Sequence, residues 1–243
     1  MFEGEWKRRI VSEAARVRRK RGSISQEEIV AAALRLTDRE GESALTFARL
    51  GQELKASPTA VYRHFASRND ILRALANHLD GISIDGYVPT DDWRRDLEDL
   101  GWRAWHTAIA HPAAAAISLT LVSNGSNELR AVEWVLRAIH QAGVTGRDAV
   151  VQYHVYTNLV LGSAGAQGAR LSAADSRETG EGWIQVYAPK DPSRYPYAEA
   201  VKAELASVTY EEVFGIQMEM YLDALAAAGA AGSAADRAES RGG

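Results

Sequence analysis

The 243-residue chain contains no cysteine. This excludes disulfides, thiolate zinc sites and a cysteine nucleophile, and it fits a reducing compartment. It has no apolar run approaching the roughly 20 residues that span a bilayer. Lys7, Arg8 and Arg9 stand near its start, but no apolar core of the signal-peptide kind follows them. The expected location is therefore cytoplasmic, with no membrane partner. No stretch alternates apolar and polar residues with the strand period of two, so the expected fold is all-α. Catalytic signatures are absent as well. In Gly162-Ser163-Ala164-Gly165 the serine stands one place early for a nucleophile elbow, and no strand precedes it. The six histidines lack any ligand spacing such as H-E-x-x-H, and no glycine-rich phosphate loop joins a strand to a helix. These absences argue against an enzyme, a metal site and a cofactor.

What the chain does have is an uneven distribution of charge. The net charge of −4 divides into a basic first third and an acidic remainder. Residues 1–80 hold 15 Lys and Arg against 11 Asp and Glu, and residues 81–243 hold 13 against 21. Such a division suits an end that faces nucleic acid and a body that does not, although a solvated charge run would give the same count. Residues 1–23 form a basic arm. Trp6, Ile10, Ala14 and Val17 recur at helical spacing there, and Arg19, Lys20 and Arg21 close it as candidate phosphate contacts. A disordered basic tail would neutralise phosphates equally well.

Residues 24–81 read as a small helical domain. Ser25 and Glu28 form a capping box for a helix buried through Ile29, Ala32, Ala33 and Leu36 and stopped by Gly41. Thr46 caps a short second helix. Ser57 and Pro58 then start a third, S-P-T-A-V-Y-R-H-F, and Ser67 caps a fourth through Ile71, Leu72, Leu75 and Leu79. Two short helices around a tight turn, the second with a polar and cationic outer face, spell a helix-turn-helix. Pro58, Thr59 and Arg63 face outward as candidate readers of base edges. Proline or the threonine methyl suits a thymine methyl, and arginine suits guanine. Arg68 and Thr46, at the starts of their helices, are candidate phosphate contacts.

Residues 24–80 resemble the DNA-binding domain of the tetracycline-repressor family of transcriptional regulators. The resemblance is carried by the helix from Ile29 to Gly41, Leu45-Thr46, Leu50, Leu54, Ser57, Val61-Tyr62-Arg63-His64-Phe65 and Asp70-Ile71-Leu72. It implies that Tyr62 and His64 meet the DNA backbone and that a homodimer binds a pseudo-palindromic operator of double-stranded DNA. It also implies a ligand-released repressor. Lys55 departs from the family, which usually has glycine there, so either its backbone is strained or the turn opens slightly. Ala48 stands where the tetracycline repressor has a base-reading arginine.

Residues 82–228 read as a helical ligand-binding and dimerisation domain. Thr90 is the expected cap of a helix over 93–110. Further helices are expected over 113–123, from Asn127, over 147–167, over 197–208 and from Thr209. Trp102, Trp105, His106, Trp134, Tyr153, His154, Tyr156 and Asn158 combine bulk with polar tips and are the candidate pocket for a small apolar or aromatic effector. At helical spacing they would serve equally as plain core. Val151, Val155, Leu159 and Gly162 with Met218, Tyr221, Leu222 and Leu225 are the candidate dimer strips, for which the resemblance implies a four-helix interface. Filling the subunit's own core is the other use of those strips. Residues 169–195 read as a loop and 229–243 as a disordered tail. The alternatives left open are a dimeric DNA-binding regulator without ligand, and a helical binding protein or enzyme.

Overall fold

A computed structural model describes residues 24–118, 121–172 and 191–242, and all its regular elements are helical. The basic arm, with Arg19, Lys20 and Arg21, lies outside the described residues. Helix α1, Gln26–Glu40, starts at the expected capping box: the Ser25 hydroxyl accepts from the Glu28 amide, and the Glu28 carboxylate accepts from the Ser25 amide. A 3-10 turn, Glu42–Ala44, leads to α2, Phe47–Glu53, capped by Thr46. Then come α3, Pro58–Tyr62, and α4, Arg68–Ser83, which has a second reciprocal box between Ser67 and Asp70. Ile29, Leu36, Leu45, Leu50, Val61, Ile71 and Leu75 close a core with almost no exposure.

The body comprises α5, Trp93–Ala110, α6, Pro112–Ser118, α7, Ser126–Gln141, and α8, Gly146–Ser172. A 3-10 turn at Pro192–Arg194 and the short helices α9, Pro196–Ala200, and α10, Lys202–Ser207, precede α11, Tyr210–Gly242. Leu97, Leu100, Trp105, Ile139, Tyr156, Phe214, Met218, Leu222 and Leu225 form its core. Several expectations need correction. Asp92, not Thr90, caps α5, accepting from the Arg94 and Arg95 amides. The Thr90 hydroxyl instead donates to the buried Asp96 carboxylate at 2.7 Å, pinning the loop before the helix. Helix α8 continues to Ser172, into the expected loop. The expected disordered tail is helical in backbone to Gly242, which agrees with the high helix propensity of its many alanines.

Two features bind the small domain to the body. Ala114 and Ile117 of α6 are buried in the core of the small domain, so α6 packs against α1 and α4 while its other side meets α8. The His111 Nδ1, at the α5–α6 corner, lies 2.8 Å from the Asp38 carboxylate of α1. Helix α7 begins at Gly125 without a side-chain cap of its own. Its first amides are capped from α4: Asn77 Oδ1 accepts from the Asn127 amide at 2.9 Å and the Glu128 amide at 3.3 Å, and the Asn77 carbonyl accepts from Asn127 Nδ2 at 2.9 Å. A Cβ at Gly125 would overlap the Asn77 side chain, so this close approach requires glycine there.

Candidate nucleic-acid interface and effector cavity

The helix-turn-helix is set by its turn. Gly51 is buried, and a Cβ there would stand 2.9 Å from the Ala56 carbonyl oxygen and 3.1 Å from the Pro58 nitrogen. Both are backbone atoms, so the two helices approach this closely only over glycine. The Ala56 amide donates to the Gly51 carbonyl at 2.8 Å and the Lys55 amide to the Gln52 carbonyl at 3.1 Å. Lys55 itself adopts φ 53°, the left-handed conformation that this turn position requires and that glycine adopts more readily than lysine.

Helix α3 buries Ala60 and Val61 and leaves Pro58, Thr59, Tyr62 and Arg63 exposed, with His64 half-buried just beyond its end. Ser57 Oγ accepts from the Ala60 amide at 3.3 Å, and Pro58 occupies the first turn, where no donor is missed. Tyr62 is 55% exposed and its ring lies flat on Phe47 of α2, with centroids 3.7 Å apart. That stack fixes the direction of the phenol ring. The His64 carbonyl accepts from Gln26 Nε2 at 3.2 Å, which ties the end of α3 to the start of α1. Thr46 Oγ1 accepts from the Arg49 amide at 3.2 Å and is exposed. Ala48 is exposed and carries no polar group to this face.

Arg68 is placed differently from expectation. Its Nε donates to the Leu45 carbonyl at 3.1 Å, and its Nη2 to the Glu42 carbonyl at 3.0 Å and the Glu42 carboxylate at 2.8 Å. A guanidinium engaged three times with the 3-10 turn and the residue after it braces the domain through Nε and Nη2. Arg49 is similarly held by Glu40 and Gln52. Lys55 and Arg63 are exposed and make no ion pair among the described residues. Lys55 thus joins the candidate cations of this face. The signal was readable in sequence, since no carboxylate falls three or four positions away on either side of it.

A cavity of about 400 Å³ opens in the body beneath α4, walled by α5, α6, α7 and α8. Of the expected pocket residues, Tyr153, His154 and Tyr156 line it, and the others do not. Leu100 and Ala104 present α5 to the cavity. Trp102 and Trp105 lie round the helix from them, packed edge-on and face-on against Phe214 with centroids 4.9 and 4.7 Å away. His106 stacks on Trp102 at the surface, and Trp134 packs on Tyr87 beside Arg130. Asn158 turns toward a different groove. These aromatics are core and surface packing, because successive helical residues are turned by 100° and only one stripe of each helix meets the cavity. The lining residues missed include Asp80, Ser83 and Glu128. Ala76, Asp80 and Ser83 share one face of α4, so an acid placed within an otherwise apolar stripe was the available sign. Burial, with a smaller contribution from Glu128, pushes the Asp80 carboxyl from its ordinary 3.8 up to about 7.

The second groove runs between α8 and α11. Val155, Asn158, Leu159, Gly162 and Ala166 line one side and Val213, Gln217, Met220 and Ala224 the other. Val151 and Val155 are about half exposed, Leu159 is half-buried, and a Cβ at Gly162 would meet nothing. The expected strip on the last helix was taken from the wrong face. Met218, Tyr221, Leu222 and Leu225 fill the subunit's own core, and the exposed apolar stripe is Val213, Ile216 and Met220.

Comparison with known proteins identifies the architecture. The family described as "Bacterial regulatory proteins, tetR family" matches residues 29–75, and "Tetracyclin repressor-like, C-terminal domain" matches residues 86–228. An HTH-type transcriptional regulator of Saccharopolyspora erythraea is 30% identical over 147 residues, which cover 59% of this chain and 61% of the relative. The chain therefore matches under two thirds of that relative's length. Tetracycline repressor protein class C of Escherichia coli is 26% identical over 183 residues, covering 74% of this chain and 82% of the relative. The Streptomyces coelicolor protein ActR, solved in complex with actinorhodin, superposes with a TM-score of 0.72 at 20% identity, over 84% of this chain and 96% of that one.

Proposed function

We propose, because the chain belongs to the tetracycline-repressor family of bacterial regulatory proteins, that it is a DNA-binding transcriptional repressor released by a small-molecule effector. The observation that carries this reading is the placement of one helix, α4. It packs against the helix-turn-helix at its start and roofs the effector cavity at its end. On this reading Tyr62, Thr46 and Lys55 position the domain on phosphates, with Pro58, Thr59 and Arg63 at base edges. His64, half-buried, lies nearer to the DNA backbone than to the bases. The basic arm adds sequence-independent attraction.

A single recognition helix makes too few contacts for selective binding, so the working unit is a homodimer. Its interface is the α8–α11 face, where Val151, Val155, Gly162, Val213, Ile216 and Met220 are left exposed on one subunit and Leu159 half-buried. Two α3 helices then enter successive major grooves about 34 Å apart. An effector that wedges α4 away from α7 changes that spacing, and DNA bound in the other direction weakens the effector by the same factor. ActR in its ligand complex offers a structural parallel for a ligand within this fold. No helix among the described residues is long and apolar enough to cross a membrane.

The test is selection of bound fragments from genomic DNA, followed by fluorescence-anisotropy titration of the selected site. The expected result is a pseudo-palindromic site bound by a dimer and released by a small molecule. Equal affinity for the selected and a scrambled site at fixed salt would refute the regulator. An affinity unmoved by any cavity-binding compound would leave a regulator without an effector.

A further inference from the structure

Among the described residues, two carboxylates and no lysine or arginine line the effector cavity. Asp80 reaches it from α4 and Glu128 from the first turn of α7. Most of the remaining wall is apolar, from Leu100, Val132, Val135 and Val160. The Glu128 Oε2 accepts from Ser123 Oγ at 2.7 Å and the Asn124 amide at 2.6 Å, which fixes that side chain at the helix start. The Asp80 carboxylate makes no hydrogen bond or ion pair among the described residues, although its own burial disfavours its charge. Tyr153 stands in the field of the same pair. Burial first, then Glu128 and Asp80, raise its phenol above the ordinary range. The other titratable groups on the lining are His154, exposed at the rim, and Tyr156, whose hydroxyl is turned away to donate to the Leu97 carbonyl at 2.6 Å.

An apolar wall carrying two acids and no fixed cation selects by charge. An anion would enter against both carboxylates. A neutral ligand would leave the Asp80 charge without a counter-ion. A cation would satisfy Asp80, and its organic body would cover the valines and leucine. The aromatic face of Tyr153 adds a surface that attracts an ammonium group. We propose that this cavity takes an apolar, amine-bearing organic cation, its charge held between Asp80 and Glu128 and its body against α5, α7 and α8. This rests on the effector-responsive reading above and goes further by naming the chemical class.

The experiment uses three probes of one shape on the full chain: 1-(aminomethyl)naphthalene, 1-(hydroxymethyl)naphthalene and 1-naphthoate. Each is titrated calorimetrically at pH 7.5, and each is then added to the protein bound to its selected DNA. The amine is expected to bind at least about tenfold more tightly than the alcohol, with the carboxylate weakest, as charge-assisted hydrogen bonds in a low-dielectric site require. In the D80N/E128Q double variant, shown by circular dichroism to be folded, amine and alcohol should bind alike. An alcohol or carboxylate that matches the amine in the natural protein overturns the proposal, as does a preference that survives the double variant. No binding by any probe at millimolar concentration, with the fold intact, overturns it too. A bound amine that fails to release DNA leaves the charge selection standing and removes the regulatory reading instead.

Discussion

Lys55 gives the sharpest test of how backbone strain enters this fold. Its φ of 53° is a conformation in which the Cβ of an L-residue crowds the following carbonyl oxygen, at about 1–2 kcal/mol. Glycine escapes that crowding but is freer in the unfolded chain, which returns roughly 0.5–1 kcal/mol. Lys55→Gly should therefore stabilise the domain by about 0.5–1 kcal/mol. Lys55→Ala removes the same charge and keeps the strained Cβ, so it should give no such gain. The pair separates backbone from charge. In urea titrations with an unchanged slope, the glycine variant should unfold at a midpoint higher by about 0.3–0.5 M, while the alanine variant stays near the parent. Both lose one exposed cation beside α3 in each subunit, so both should lower DNA affinity equally and flatten the dimer's salt dependence by about two units. A glycine variant no more stable than the alanine variant would refute the strain argument. Unequal DNA affinities would show that the turn's shape, not its charge, matters at the DNA.

Three further predictions follow from named contacts. Tyr62→Ala should weaken binding to the selected DNA by about 5- to 10-fold in a gel-shift titration at fixed salt while changing stability by under about 1 kcal/mol, since the ring is mostly exposed; unchanged affinity would remove Tyr62 from the interface. Val155→Glu with Met220→Glu should raise the dimer dissociation constant at least tenfold, roughly, by sedimentation velocity without loss of helicity, because both side chains are exposed on the subunit; an intact dimer at micromolar concentration would place the interface elsewhere. The Asp80 carboxyl is raised in the folded state to about 7. The folded protein thus keeps a proton that the unfolded chain loses above about 3.8, and stability falls as pH rises between those values. Asp80→Asn removes that loss, so its stability relative to the parent should be greater at pH 8 than at pH 5, by up to about 2.5 kcal/mol. A difference independent of pH would contradict the burial of its charge.

The small domain was legible because its signals are local. Ser25 with Glu28, Thr46, Ser57-Pro58 and Ser67 with Asp70 all act within four residues of themselves, and each starts a helix where its chemistry says it should. The long helices of the body were found by their period, but period alone does not say which neighbour a face meets. That is why Met218 and Leu222 were assigned to a partner when Phe214 already places them inside, and why Trp102 and Trp105 were given to a cavity they do not touch. Arg68 shows the same limit, since its carbonyl acceptors at Glu42 and Leu45 come from more than 20 positions earlier. Thr90 was misjudged over only six residues, because Asp92 takes the cap of α5 and the buried Asp96 carboxylate takes the threonine hydroxyl.

Helix α7 cannot finish its own first turn, and its missing acceptor is lent by Asn77 from across the α4–α7 contact. The amide hydrogens of Asn127 and Glu128 are therefore a gauge of where α4 stands. They should exchange slowly with solvent deuterium while α4 holds its present seat and lose protection together when α4 is displaced. The state of the DNA-binding end is then readable some distance away, at two backbone positions beside the effector, with no label attached to the protein.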